Sequence, residues 1–120
     1  MVKPVTYEAG GFTHLAYLAR PAGNAPAPGL IVIHENKGLQ PHIQDIARRL
    51  AKAGYIAMAP DLVSNIGGTQ QYIDTAQISS SLAQTSGDEH ITHLKAALAV
   101  LKMQPGVRKL GAVGFCFGGG

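Results

Sequence analysis

LIVIHENKGLQPHIQDIARRLAKAGYIAMAPD, Leu30 to Asp61, contains a strand, a helix and a second strand. LIVI sets four aliphatic residues in a row, three of them β-branched. Such a run suits a strand covered on both faces, as in a parallel sheet. NKGLQ then reads as a loop. From about Pro41 to Ala53, the residues Ile43, Ile46, Ala47 and Leu50 recur on one helical face. Pro41 suits the first helical turn, and Gly54 suits the position just past the last. YIAMAPD, Tyr55 to Asp61, predicts a second buried strand stopped by Pro60.

The flanking sequence extends this pattern on both sides. Val2–Glu8 and Thr13–Ala19 predict a hairpin around Ala9-Gly10-Gly11. Pro21 to Gly29 is rich in Pro, Gly and Ala and predicts a surface loop. After a loop at Leu62–Gln70, a polar helix is expected over Gln71–Thr85. Ser86-Gly87-Asp88 breaks the chain. A helix over 88–104 places Ile91, Leu94, Leu98 and Leu101 on one face, and Pro105-Gly106 ends it. A last strand is expected from about Lys109 to Phe115. The order β-β-β-α-β-α-α-β implies one α/β domain over residues 1–120. Its sheet is mixed but mostly parallel, with crossover helices and an antiparallel N-terminal edge.

Composition narrows the function classes. With 46% hydrophobic and 14% charged residues, the chain is globular rather than disordered. Its net charge of +3 is dispersed: Arg48 and Arg49 are the only adjacent arginines, so no nucleic-acid surface is expected. No apolar run is long enough to span a membrane, and MVKPVTYEAG has no apolar signal core. One cysteine forms no internal disulfide, so the expected location is cytoplasmic.

That cysteine sits in GFCFGG, Gly114 to Gly119, directly after the last expected strand. A nucleophile on a tight strand-to-helix turn needs small neighbours at minus two and plus two, where the backbone doubles back. Gly114, Gly118 and Gly119 meet that need around Cys116. Helix polarity beneath the sulfur would favour the thiolate, and the Phe117 N–H would face a developing oxyanion. The alternative is a small buried cysteine with no chemistry. The pattern lacks the Gly-Lys-Ser/Thr of a phosphate loop and the G-x-G-x-x-G of a dinucleotide site. A second cluster, HENKGL, follows the first parallel strand. There Glu35 could accept or hold the thiol proton, while His34 alternates to the other side in a structural role.

Together Ile31–Leu62 and GFCFGG resemble the dienelactone hydrolase family of α/β-hydrolases over nearly the whole chain. The resemblance implies Cys116 as nucleophile, Glu35 as its partner, and the backbone N–H groups of Asn36 and Phe117 as oxyanion donors. It implies hydrolysis of an ester or lactone through an acyl-cysteine, with no metal or organic cofactor and a small-molecule substrate. In α/β-hydrolases the triad acid and histidine follow the nucleophile. Here all five histidines precede Cys116. The chain is therefore expected to be the N-terminal part of such a fold, truncated after the elbow and inactive by itself. It is also expected to self-associate or to pair with the missing half. Asp61 ends its strand at the site edge, but its place in the order argues against a triad role. None of Arg20, Arg48, Arg49 and Arg108 suggests a site for a substrate carboxylate.

Two other readings belong to different classes. One is a non-catalytic fragment or interaction module whose exposed sheet edge is the working surface. The other is metal binding through Glu89, His90 and His93, but the order differs from H-E-x-x-H and no further ligand is near, which favours a plain surface helix.

Overall fold

Alternation along the strands sorts the side chains into two cores. In β4 (Ile56–Pro60), Ile56 and Met58 enter one core while Ala57 and Ala59 enter the other. β2 (Phe12–Ala19) divides in the same way, with Ala16 and Leu18 on one side and Tyr17 and Ala19 on the other. Period-2 geometry on a sheet covered on both faces produces this division. The computed structural model describes residues 2–9, 11–23, 25–34, 38–64, 67–69 and 75–114, apart from the side chains of residues 9 and 75.

The elements run β1 (Val2–Ala9), β2, β3 (Ala27–Ile33), α1 (Pro41–Lys52), β4, α2 (Thr75–Gln84), α3 (Gly87–Lys102) and β5 (Val107–Gly114). Their spatial order in the sheet is β1-β2-β4-β3-β5. β1 and β2 form an antiparallel hairpin, β2 joins β4 antiparallel, and β3 lies parallel to both β4 and β5. The crossover through α1 carries the chain from β3 to β4. The crossover through α2 and α3 carries it back past β3 to β5. These moves go in opposite directions and use opposite faces, as right-handed crossovers require. The open α/β sheet matches the expected fold class.

α1 packs by small residues. Ile43, Ala47 and Ala51 are buried against Ala19, Ala57 and Ala59, with Ile46 and Leu50 at the margin. Alanine on both partners lets helix and sheet approach closely. The helix ends as Gly54 suggests. Its φ is +106°, its N–H donates to Ala51 O, and the Tyr55 N–H donates to Leu50 O, closing the last turn.

α3 starts on a serine N-cap. The Ser86 hydroxyl accepts from the Glu89 N–H at 3.1 Å, Asp88 and Glu89 occupy the first turn, and Lys102 lies in the last. Ala97 and Leu101 are buried against Leu18, Ile31 and Met58, while Leu94 and Leu98 pack beside them.

Three local expectations need correction. Ile91 does not face the core but is 52% exposed; Leu101 of the expected face is buried, with Ala97 beside it. β3 begins at Ala27, inside the stretch expected to be loop. Pro28 is tolerated there because the pairing with β5 is irregular between Ala27 and Gly29, where no ladder N–H is required. β5 begins at Val107, two residues earlier than expected. Within the expected Gln71–Thr85 helix, the described part is α2, seated by Ile78 and Leu82 on Leu62 and Val63.

Candidate active site

β3 and β5 are adjacent and parallel, and their last residues, Ile33 and Gly114, are register partners. The two strand ends that lead into the motif segments therefore lie side by side at the carboxyl edge of the sheet. That edge of an open α/β sheet is where ligands bind. Glu35 and Cys116 each follow their strand's last residue by two positions. Of the expected site residues, Gly114 is the end of β5. Glu35, Asn36, Cys116, Phe117, Gly118 and Gly119 lie outside the described residues.

The described part of this edge is a buried polar network. His34, directly after β3, is fully buried, and its Nε2 accepts from the Leu62 N–H at 2.9 Å. Only an unprotonated Nε2 can accept, so the ring proton resides on Nδ1. Asp61, just past β4, is also buried. One carboxylate oxygen accepts from the Thr69 N–H at 2.7 Å. The other accepts from the Thr69 hydroxyl at 2.9 Å and the Val63 N–H at 3.2 Å. The Thr69 hydroxyl in turn accepts from the Leu39 N–H at 2.8 Å. Ser64 joins this end to β2: its hydroxyl donates to Asp61 O and accepts from the Leu15 N–H.

The network fixes what these residues can do. Asp61 has its carboxylate committed to three donors, which suits a structural tie rather than an acid partner for a histidine. His34 holds the start of the loop after β3, and Thr69 holds its end at Leu39. Gly38 sits against the Thr69 hydroxyl with φ +83°, and no side chain would fit there. Sequence reading singled out His34 and Asp61 but missed Ser64 and Thr69. Hydroxyl residues in a loop give no signal until the fold brings their partners near.

The four arginines have other engagements or positions. Arg48 donates to the Tyr17 hydroxyl at 2.8 Å and pairs with Asp45, and Arg49 pairs with Asp45 at 2.9 Å. Arg20 donates to Pro105 O, at the opposite end of the sheet, and Arg108 lies near the start of β5. A cavity of about 340 Å³ opens on the β1–β2 side, lined in part by Leu15, Tyr17, Leu39, Gln44 and Asp61. Two strands separate that side from β5, so this cavity is not the space beside Gly114.

His90 and His93 do not form a metal centre with Glu89. Among the described residues, no group of three potential ligands is gathered for a metal. His93 instead lies edge-on to Phe12 and His14, and His90 Nε2 contacts Leu82 O. Among the described residues, no helix is long and apolar enough to cross a membrane.

The chain is similar to several known proteins. A protein from Methylorubrum extorquens, provisionally named a carboxymethylenebutenolidase, is 38% identical over 107 residues, covering 87% of this chain and 37% of its own length. A protein from Escherichia coli provisionally named hydrolase fragment YghX is 57% identical over 53 residues, 43% of this chain and 45% of its own. A solved dienelactone hydrolase-like promiscuous phosphotriesterase from metagenomic libraries superimposes with a TM-score of 0.82 at 35% identity. It matches 99% of this chain and 50% of that one. The chain thus spans about half the length, or less, of these relatives. Residues 15–120 match the model of the dienelactone hydrolase family, and the chain belongs to that family.

Proposed function

We propose that this chain carries the nucleophile half of a hydrolase acting on ester or lactone bonds, with Cys116 as nucleophile. The observation that carries the reading is the pairing of Ile33 with Gly114, which brings the segments of Glu35 and Cys116 off adjacent strand ends. Family membership supports the same reading. The Cys116 thiolate attacks the carbonyl carbon: a C–S bond forms and the π pair moves to oxygen. The N–H groups of Asn36 and Phe117 receive that oxyanion, each donor worth about 3 kcal/mol. Gly114, Gly118 and Gly119 give the turn its room. Collapse restores the carbonyl and breaks the C–O bond, leaving an acyl-cysteine and an alkoxide that takes a proton. Glu35 accepts or holds the thiol proton before attack. Hydrolysis of the acyl-cysteine requires a base, which the family order assigns, with the triad acid, to sequence after Cys116. No cofactor takes part, and the substrate is a small molecule in the cytoplasm.

p-Nitrophenyl acetate tests this. Its leaving group departs as an anion without an acid, so acylation needs only the nucleophile and its oxyanion donors. Intact mass should show one acetyl group on wild-type chain and none on Cys116→Ala, with no sustained turnover. Acetylation at another residue, or none, would overturn the assignment.

A second reading has its own support. Among the described residues β5 pairs with β3 alone, and Arg108, Lys109, Leu110 and Ala112 along it are exposed. An unpaired strand edge of this kind pairs readily with another chain. We therefore also propose association of the chain with itself or with a complementary half, and a concentration-independent monomer in sedimentation would refute it.

A further inference from the structure

We propose that Thr69 is a positioning residue for the oxyanion loop: aimed by Asp61, its hydroxyl pins the Leu39 amide and fixes the far end of the stretch carrying Glu35 and Asn36. The role of that loop rests on the Cys116 reading above; what Thr69 holds rests on the hydrogen bonds alone.

A hydroxyl has one proton and two lone pairs. A carboxylate oxygen only accepts, so the contact with Asp61 Oδ1 at 2.9 Å takes the Thr69 proton. The lone pairs are then turned toward the Leu39 N–H, 2.8 Å away. The Thr69 N–H bound to Asp61 Oδ2 removes the remaining freedom, because one carboxylate grips the residue at both backbone and side chain. The near end of the same stretch is held at His34 by the Leu62 N–H. Both anchors belong to one segment, Leu62 to Thr69, which Asp61 ties to itself and Ser64 ties to β2. Oxyanion donors act through preorganised placement, and misplacement by about 1 Å costs on the order of 100-fold in rate.

The test uses the full chain as wild type, Thr69→Val and Thr69→Ser. Valine keeps the shape and deletes the hydroxyl, while serine restores it. Two reactions of Cys116 are timed. Acetylation by p-nitrophenyl acetate builds an oxyanion: sulfur bonds the carbonyl carbon and p-nitrophenolate leaves with its electron pair. Alkylation by iodoacetamide displaces iodide at a saturated carbon and builds none. The expected result is acetylation about 10- to 100-fold slower in Thr69→Val, alkylation within about twofold, and recovery in Thr69→Ser. Equal acetylation in wild type and Thr69→Val would overturn the proposal while leaving the nucleophile assignment intact.

Hydrogen exchange at the Leu39 amide reads the anchor by itself. Slow exchange in wild type, lost in Thr69→Val and regained in Thr69→Ser, supports it. Exchange in wild type at the rate of an open loop overturns it, even if the valine variant does not fold. If wild type is alkylated but never acetylated, the ester reading of Cys116 falls, and Leu39 exchange still decides the anchor.

Discussion

Asp61→Ala should be the most damaging single change in this half of the molecule outside the apolar core. The carboxylate is the acceptor for two backbone N–H groups, those of Val63 and Thr69, and for the Thr69 hydroxyl. Asp61 is only 5% exposed, so water cannot take its place without opening the segment. Each buried donor left without an acceptor costs about 1–3 kcal/mol, so the two amides together cost about 2–6 kcal/mol. Against a typical total of about 5–15 kcal/mol, this is a large share of the stability. Asp61→Asn keeps one acceptor oxygen. Its amide nitrogen must face one of the two N–H groups, so a single donor is lost, at about 1–3 kcal/mol. Urea denaturation followed by far-ultraviolet circular dichroism measures both, since the chain has no tryptophan to report. If Asp61→Ala falls within about 0.5 kcal/mol of wild type, the network does not hold the segment. If Asn costs as much as Ala, charge rather than acceptor count governs the site.

Other consequences can be checked with the same melts. The Tyr7 hydroxyl is buried with no hydrogen-bond partner among the described residues, and burial pushes its pKa up to about 12. Tyr7→Phe removes that unsatisfied group and should raise stability by about 1 kcal/mol; a loss would mean that the hydroxyl has a partner. His93 has its pKa lowered by burial, then by the charges of His14 and His90, against a smaller opposite effect of Glu89. Around it are Phe12 and His14 from β2 and its own helix neighbours, with Tyr7 of β1 stacked on His14. A lowered folded pKa gives stability that is complete above the unfolded value, about 6.5, and lost as pH falls through the folded one. His93→Gln should therefore flatten the fall in stability below about pH 6.5; an unchanged slope in pH-dependent melts would count against this. Ile91→Lys, at the outward position on α3, should change stability by less than about 0.5 kcal/mol, whereas a buried Ile91 would make it severe.

The elements themselves are written locally. Periodicity in Ile43 to Leu50, the aliphatic run Leu30 to Ile33, and the stop signals Gly54 and Pro105-Gly106 each act within a few residues. Propensity and side-chain period therefore suffice to read them. The spacing of glycines around Cys116 is a local pattern of the same kind. Ile91 fits the helical spacing as well as Leu94 does. Only the tertiary packing, in which Ala97 and Leu101 join Leu18, Ile31 and Met58, leaves Ile91 outward. Pro28 argued against a strand until the irregular pairing with β5 removed the need for its N–H.

The candidate site divides along the same line. The sequence by itself determined the α/β alternation and the spacing of Gly114, Gly118 and Gly119 around Cys116, because each is a pattern of neighbours along the chain. It could not determine that β3 and β5 lie side by side, since strand order depends on which face each crossover helix covers. Nor could it show that Asp61 and Thr69 tie the loop after β3 through Leu39, a contact spanning 30 residues. A hydrogen bond carries no sequence period. Only the tertiary structure decides which buried donors and acceptors meet.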